Sequence, residues 1–122
     1  MGGVSTFPAS INGTNALDLD EDVGQSTTHV CGEDIWWDVN GSVRILQPTN
    51  GAALSNLGMV QFNNVQLSDL RNENYASSGI DGSDGNPAPG TVVAIRTSEG
   101  NYAKIDITSR SYDLEFTLVV YQ

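Results

Sequence analysis

GTVVAIRTSEGNYAKIDI, Gly90 to Ile107, reads as two strands joined by a tight turn. Val93, Ile95 and Thr97 fall on one face of the first strand, because successive side chains of a strand point to opposite sides. Ala103, Ile105 and Ile107 line one face of the second, and Tyr102, Lys104 and Asp106 point the other way. Ser98-Glu99-Gly100-Asn101 is the turn between them. A connection of this length with glycine near its end suits a type I turn followed by a residue at positive φ, which Gly or Asn accepts cheaply.

Downstream, Ser109-Arg110-Ser111 makes a second turn, and Leu114, Phe116, Leu118 and Val120 then alternate with Glu115, Thr117 and Tyr121, which completes an antiparallel meander. Upstream, Ala16 to Asp20 alternates as a strand. Asp34 to Val39 is another, with Ile35, Trp37 and Val39 on one face and Trp36 and Asp38 on the other. Asn40-Gly41 follows as a strong two-residue hairpin signal, since both central residues of a type I′ turn need positive φ. Val43 to Leu46 returns as its partner and Pro48 closes it. Ala52 to Phe62 is mixed, suiting a short strand or an irregular core segment. Val65 to Asn72 is the one helix the pattern supports, with Leu67 and Leu70 three apart and Arg71 in its last turn, where the helix dipole favours a cation. Ala76 to Gly90 has the composition of a long surface loop. The expected fold is mainly β: an antiparallel β-sandwich or barrel-like domain with one short helix. Residues 1–15 are expected to form an extended N-terminal arm, and residues 16–122 a single β-domain. Val4, Phe7 and Ile11 are the apolar groups with which the arm would dock on a sheet edge, its own or that of another copy.

The chain has 122 residues, long enough for a core that needs no staples. Five Lys+Arg against fifteen Asp+Glu give a net charge of −10 and a pI near 4.1, a field that repels phosphate and anionic lipid. Nucleic acid and membrane surfaces are therefore poor partners. Only 16% of residues are charged, and Asn, Ser, Thr and Gly fill the turns, as is common in secreted bacterial β-proteins. Cys31 is the only cysteine, so no disulfide forms within the chain. No stretch approaches the roughly 18 apolar residues of a membrane helix, so membrane insertion is not expected. Met1-Gly2-Gly3-Val4 does not open a signal peptide, so an exported protein would be a mature form or an excised domain behind an added Met.

Few constellations carry chemistry. His29 and Cys31 lie two apart, but one thiol and one imidazole cannot close a tetrahedral metal site, and a lone cysteine in a β segment is usually a small buried hydrophobe. Asp81, Ser83, Asp84 and Asn86 alternate around glycines like the hard oxygen ligands of a calcium loop. The EF-hand pattern would place a bidentate Glu at the twelfth position, where this chain has Val92. The same residue types also make ordinary turns. The sequence requires no cofactor, and calcium is the one ion this segment suits. Asp18, Asp20, Glu21 and Asp22 form a second acidic group that reads more simply as a solvated face. Trp36 and Asp38, on the face opposite Trp37, make a candidate ligand platform; the competing reading is a tryptophan covered by the Leu67/Leu70 segment. Asn12-Gly13-Thr14 and Asn40-Gly41-Ser42 match the glycosylation acceptor pattern, as chance would allow in a chain this rich in Asn, Ser and Thr. Asp34, Asp38, Glu115 and Lys104 are the charged groups that an enzyme would have to bring together.

The segments DLDEDVG (18–24), EDIWWDV (33–39), ILQPTNGAALSNLG (45–58), VQLSDLRNENY (65–75) and GTVVAIRTSEGNYAKIDI (90–107) together resemble a recurring module of bacterial secreted and cell-surface proteins. In that module a strand with paired tryptophans precedes a GTVVAVRTSEGRYAKV-type hairpin and an aromatic final strand. This resemblance covers residues 16–122. The hairpin alone also resembles that of the HmuY-like family of exported β-proteins, where paired histidines hold haem; His29 is the only histidine here, so haem binding does not carry over. The module resemblance implies an extracellular, non-enzymatic β-domain and brings no catalytic residue with it.

The expected function is therefore that of a non-catalytic β-domain, secreted or at a microbial cell surface, used for structure or recognition, with protein, glycan or copies of itself as partners. Two alternatives stand beside it: a self-assembling subunit of an extracellular filament or virion, and a calcium-binding adhesion module.

Overall fold

The Gly90–Ile107 hairpin occupies the middle of the first of two sheets. The computed structural model describes residues 4–11, 15–17, 27–28, 34–40, 43–82, 87–111 and 113–121. Its strands are β1 (Val4–Ile11), β2 (Asn15–Leu17), β3 (Thr27–Thr28), β4 (Ile35–Asn40), β5 (Val43–Pro48), β6 (Ala53–Gly58), β7 (Ile80–Asp81), β8 (Val92–Arg96), β9 (Tyr102–Arg110) and β10 (Leu114–Tyr121). A 3-10 turn, Phe62–Asn64, precedes the single described α-helix, α1 (Leu67–Arg71).

The first sheet runs β1-β10-β9-β8-β6 and the second β3-β2-β4-β5-β7, with every pairing antiparallel. Each sheet has two ends among the described residues, so the arrangement is a sandwich and the barrel alternative is not realised. In the hairpin Val93 faces Ile105 and Ile95 faces Ala103. All four are buried in one cluster with Leu54, Ile107, Phe116, Leu118 and Val120 of the first sheet and with Ile35, Trp37 and Leu46 of the second. The turn closes as its composition demands: Thr97 N–H donates to Asn101 O, Gly100 N–H donates to Thr97 O, and Gly100 takes φ +87°.

Three polar latches tie the sheets together. Asp34, fully buried at the start of β4, accepts the Ser98 amide of the β8–β9 turn at 2.7 Å. Trp37 Nε1 and Arg44 Nε both donate to Ser111 O, between β9 and β10. Arg110 Nη2 donates to Gly82 O, just after β7, while its guanidinium lies over the Trp37 ring.

Several expectations are corrected. The β4–β5 register pairs Asn40 with Val43, so the two-residue connection is 41–42, outside the described residues, rather than Asn40-Gly41. Alternation cannot separate these registers, because a shift of two keeps every side chain on its face; the one adopted sets Leu46 opposite Trp37. The mixed Ala52–Phe62 stretch contains β6, an edge strand on β8 with a register shift between Asn56 and Gly58. The Ala76–Gly90 segment is not wholly loop, since Ala76 bridges to Leu54 and β7 pairs with β5. Residues 4–11 of the arm are strand β1, in unbroken register with β10 of the same chain. The expected Ala16–Asp20 strand is described only as β2.

The helix is shorter than expected and does not cover Trp36. It packs on the outer face of the first sheet, against β8 and β9. Leu70 is buried there, as are Val92, Ala94 and Lys104. Val92-Val93-Ala94-Ile95 is apolar at every position, and such a strand must be covered on both faces. The 59–76 excursion supplies the second cover.

Candidate functional site

Strand pairing sets the candidate platform. Residues directly opposite in an antiparallel ladder share a face. Trp36 pairs with Gln47, Asp38 with Ile45, and Ile45 with Asp81, so all five lie on the outward face of the second sheet. Their neighbours Ile35, Trp37 and Leu46 point inward and are fully buried. Trp36, Asp38, Ile45 and Gln47 are half-buried and Asp81 is exposed. Gln47 Nε2 donates to Asp38 Oδ2 at 3.5 Å, which orients the amide and the carboxylate side by side. Asp38, Ile45 and Asp81 form a row across three strands, so at the usual interstrand spacing the backbones of the two acids lie about 10 Å apart.

Glycines let β7 lie flat on this sheet. A Cβ on Gly79 would come within 2.6 Å of Ile45 Cγ2 and 2.7 Å of Gln47 Oε1, so a larger residue would lift the strand that carries Asp81. Two groups that looked unrelated in the sequence, Trp36 with Asp38 and the acidic segment beginning at Asp81, thereby meet on one face. Ser83, Asp84 and Asn86 lie outside the described residues, as do His29, Cys31 and the acidic run 18–22. Among the described residues no three His, Cys, Asp or Glu side chains group as metal ligands.

The charged residues considered for catalysis do not converge. Asp34 is spent on the Ser98 amide between the sheets. Lys104 and Glu115 belong to the first sheet and Asp38 to the outward face of the second. The Lys104 ammonium donates to Phe62 O at 2.5 Å and Val65 O at 2.8 Å and stands 4.3 Å from the Phe62 ring centroid. Burial draws its pKa below the ordinary lysine range.

Of the arm residues, Val4 and Phe7 pair through their backbones with Tyr121 and Leu118, and Ile11, opposite Leu114, is fully buried. One feature escaped the periodicity. Met59 and Val60 stand exposed where β6 turns into the 59–76 excursion, with a hollow on each side. The available signal was an apolar pair directly after a glycine at the end of a strand, a place where polar residues are usual. Among the described residues no helix is long and apolar enough to cross a membrane. Comparison with protein-family models, with curated proteins and with solved structures finds no match.

Proposed function

We propose that this chain is a non-catalytic extracellular β-domain that serves recognition through the outward face of its second sheet. The observation that carries the reading is the grouping there of a half-buried indole, Trp36, with the hydrogen-bonded Asp38–Gln47 pair. An indole beside a carboxylate and an amide on a flat strand surface suits a hydroxylated ligand such as a glycan, which stacks its apolar ring face and donates its hydroxyls. The dispersal of Asp34, Asp38, Lys104 and Glu115 favours binding over acid–base chemistry, because a proton-transfer pair must come within hydrogen-bond reach of one reacting group. The extracellular placement rests on the likeness of residues 16–122 to the bacterial surface module.

Tryptophan emission titrated with a panel of neutral oligosaccharides tests the platform. Trp37 is sealed in the core, so a saturable change is expected from Trp36 and is expected to disappear in Trp36→Ala. A panel that leaves the emission unchanged, or a response that survives the substitution, removes this face as the binding surface.

A further inference from the structure

The exposed Met59–Val60 turn lies on the opposite side of the sandwich from Trp36, and its backbone is hydrogen-bonded. Val60 N–H donates to Gly58 O across a one-residue turn, Gly58 N–H donates to the Asn56 side chain at 2.9 Å, and the Thr91 hydroxyl approaches Met59 Sδ at 3.7 Å. Met59 is nevertheless 71% exposed. An apolar side chain carried on a hydrogen-bonded backbone turn yet left in water is a contact for which little loop entropy remains to be lost on binding.

On one flank the turn walls a mainly polar cleft of about 460 Å³, where Met59, Val60 and Phe62 stand beside Gln61, Asn63, Asp106 and Thr117. Asp106 is the one ionisable group in this lining, and its carboxylate makes no ion pair or hydrogen bond among the described residues. The nearest cation in sequence, Lys104, is engaged by the Phe62 and Val65 carbonyls. On the other flank a hollow of about 530 Å³ also holds one acid, but Asp69 there accepts the Gln66 amide and caps α1. The two sides are thus chemically unlike: on one, a carboxylate without a partner among the described residues sits among the polar groups of Gln61, Asn63 and Thr117 with Met59, Val60 and Phe62 at its edge; on the other, the carboxylate is engaged.

We infer that the cleft between Met59 and Asp106 receives an arginine side chain from a protein partner, with the residues flanking that arginine packing on Met59 and Val60. The Asp106 carboxylate, open to the cleft and without an ion-pair or hydrogen-bond partner among the described residues, is free to take a cation. A planar guanidinium can bond a carboxylate in two places and is shed from water more readily than an ammonium. The field of a chain with net charge −10 draws basic segments toward the surface, and the Met59 turn then selects those with apolar neighbours.

The test uses the whole chain, isotope-labelled at its backbone amides and Met methyls, titrated with a pool of capped pentapeptides carrying a central arginine between leucines and valines. A matched pool carries citrulline, which keeps the shape and removes the charge. Saturating shifts are expected at the Met59 methyl and at the Asp106 and Thr117 amides, with none from the citrulline pool. Asp106→Asn is expected to weaken binding about tenfold or more, the scale of a lost charge-assisted hydrogen bond, with amide dispersion kept. Glu115→Gln, which removes an exposed charge on the neighbouring strand β10 outside the cleft lining, is expected to leave binding unchanged. Shifts spread over the acidic surface, equal losses in the two variants, equal response to both pools, or no shift at all would each overturn the assignment. These readouts are independent of Trp36, so failure here leaves the second-sheet platform standing, and the converse holds.

Discussion

Lys104 is 4% exposed, and its ammonium joins β9 to the backbone of the 62–65 turn. In the sequence it was one of the outward residues of the hairpin, and the alternation was right about its face. What alternation could not supply is the layer that lands on that face. Lys104→Met keeps the apolar stem but leaves two carbonyls without their donor, so a loss of about 1–3 kcal/mol is expected in urea unfolding. An unchanged midpoint would mean that water replaces the ammonium at both carbonyls. Tyr75 works on the same layer: its hydroxyl donates to Leu70 O at the end of α1, and its ring lies against Tyr102 and under Arg96. Burial, with smaller contributions from Tyr102 and Glu73, raises its pKa well above the ordinary tyrosine value. The native state therefore keeps this proton at pH values where the unfolded chain, ionising near 10, has lost it, and the contribution of Tyr75 to stability falls as pH rises above that point. Burial also raises the pKa of Tyr121, so phenolate absorbance is expected to show late ionisation as the protein unfolds in alkali, with an amplitude smaller by one tyrosine in Tyr75→Phe.

Strand β1 is the element whose role was least determined by local pattern. Val4–Ile11 lacks the apolar density of a core strand, yet it pairs along its whole length with β10 and places Ile11 in the core. Pro8, exposed in its middle, fits an edge position, where a missing N–H costs no ladder bond and also blunts the edge toward a further strand. Deleting residues 2–11 is expected to lower stability by at least the ~1.5–3 kcal/mol of one buried isoleucine, and to uncover the β10 edge. Size-exclusion chromatography then checks the consequence: the truncated chain is expected to self-associate more than the full chain. A truncated chain whose stability and elution both match those of its parent would show that β1 does not hold the sheet. The helix teaches a related lesson. Leu67, Leu70 and Arg71 announced its existence, but which surface it covers follows from the continuous apolar run of β8, a signal read only as strand.

Across the whole molecule, fifteen acidic groups face five basic ones, three of which, Arg44, Lys104 and Arg110, are engaged by backbone carbonyls. The folded state gathers the unbalanced charge into a smaller volume than the unfolded chain does, so self-repulsion opposes folding and salt relieves it. The melting temperature is expected to rise as ionic strength goes from about 0.01 M to about 0.15 M, over which the Debye length falls from ~30 Å to ~8 Å. A flat or falling profile would mean that charge repulsion is not what limits stability. Taken alone, the sequence determined the β class, the Gly100 turn, and the inward faces of β4, β8, β9 and β10, because alternation and turn chemistry are local properties of the chain. Only the tertiary structure decided which strands share a sheet, that β1 pairs within its own chain, that Asp34 and Lys104 are structural, that Trp36, Asp38 and Asp81 meet on one face, and that Asp106, without a partner among the described residues, lies beside an exposed Met59. Each of those depends on contacts between residues far apart along the chain, where a shift of two residues changes the partners and leaves the local pattern untouched.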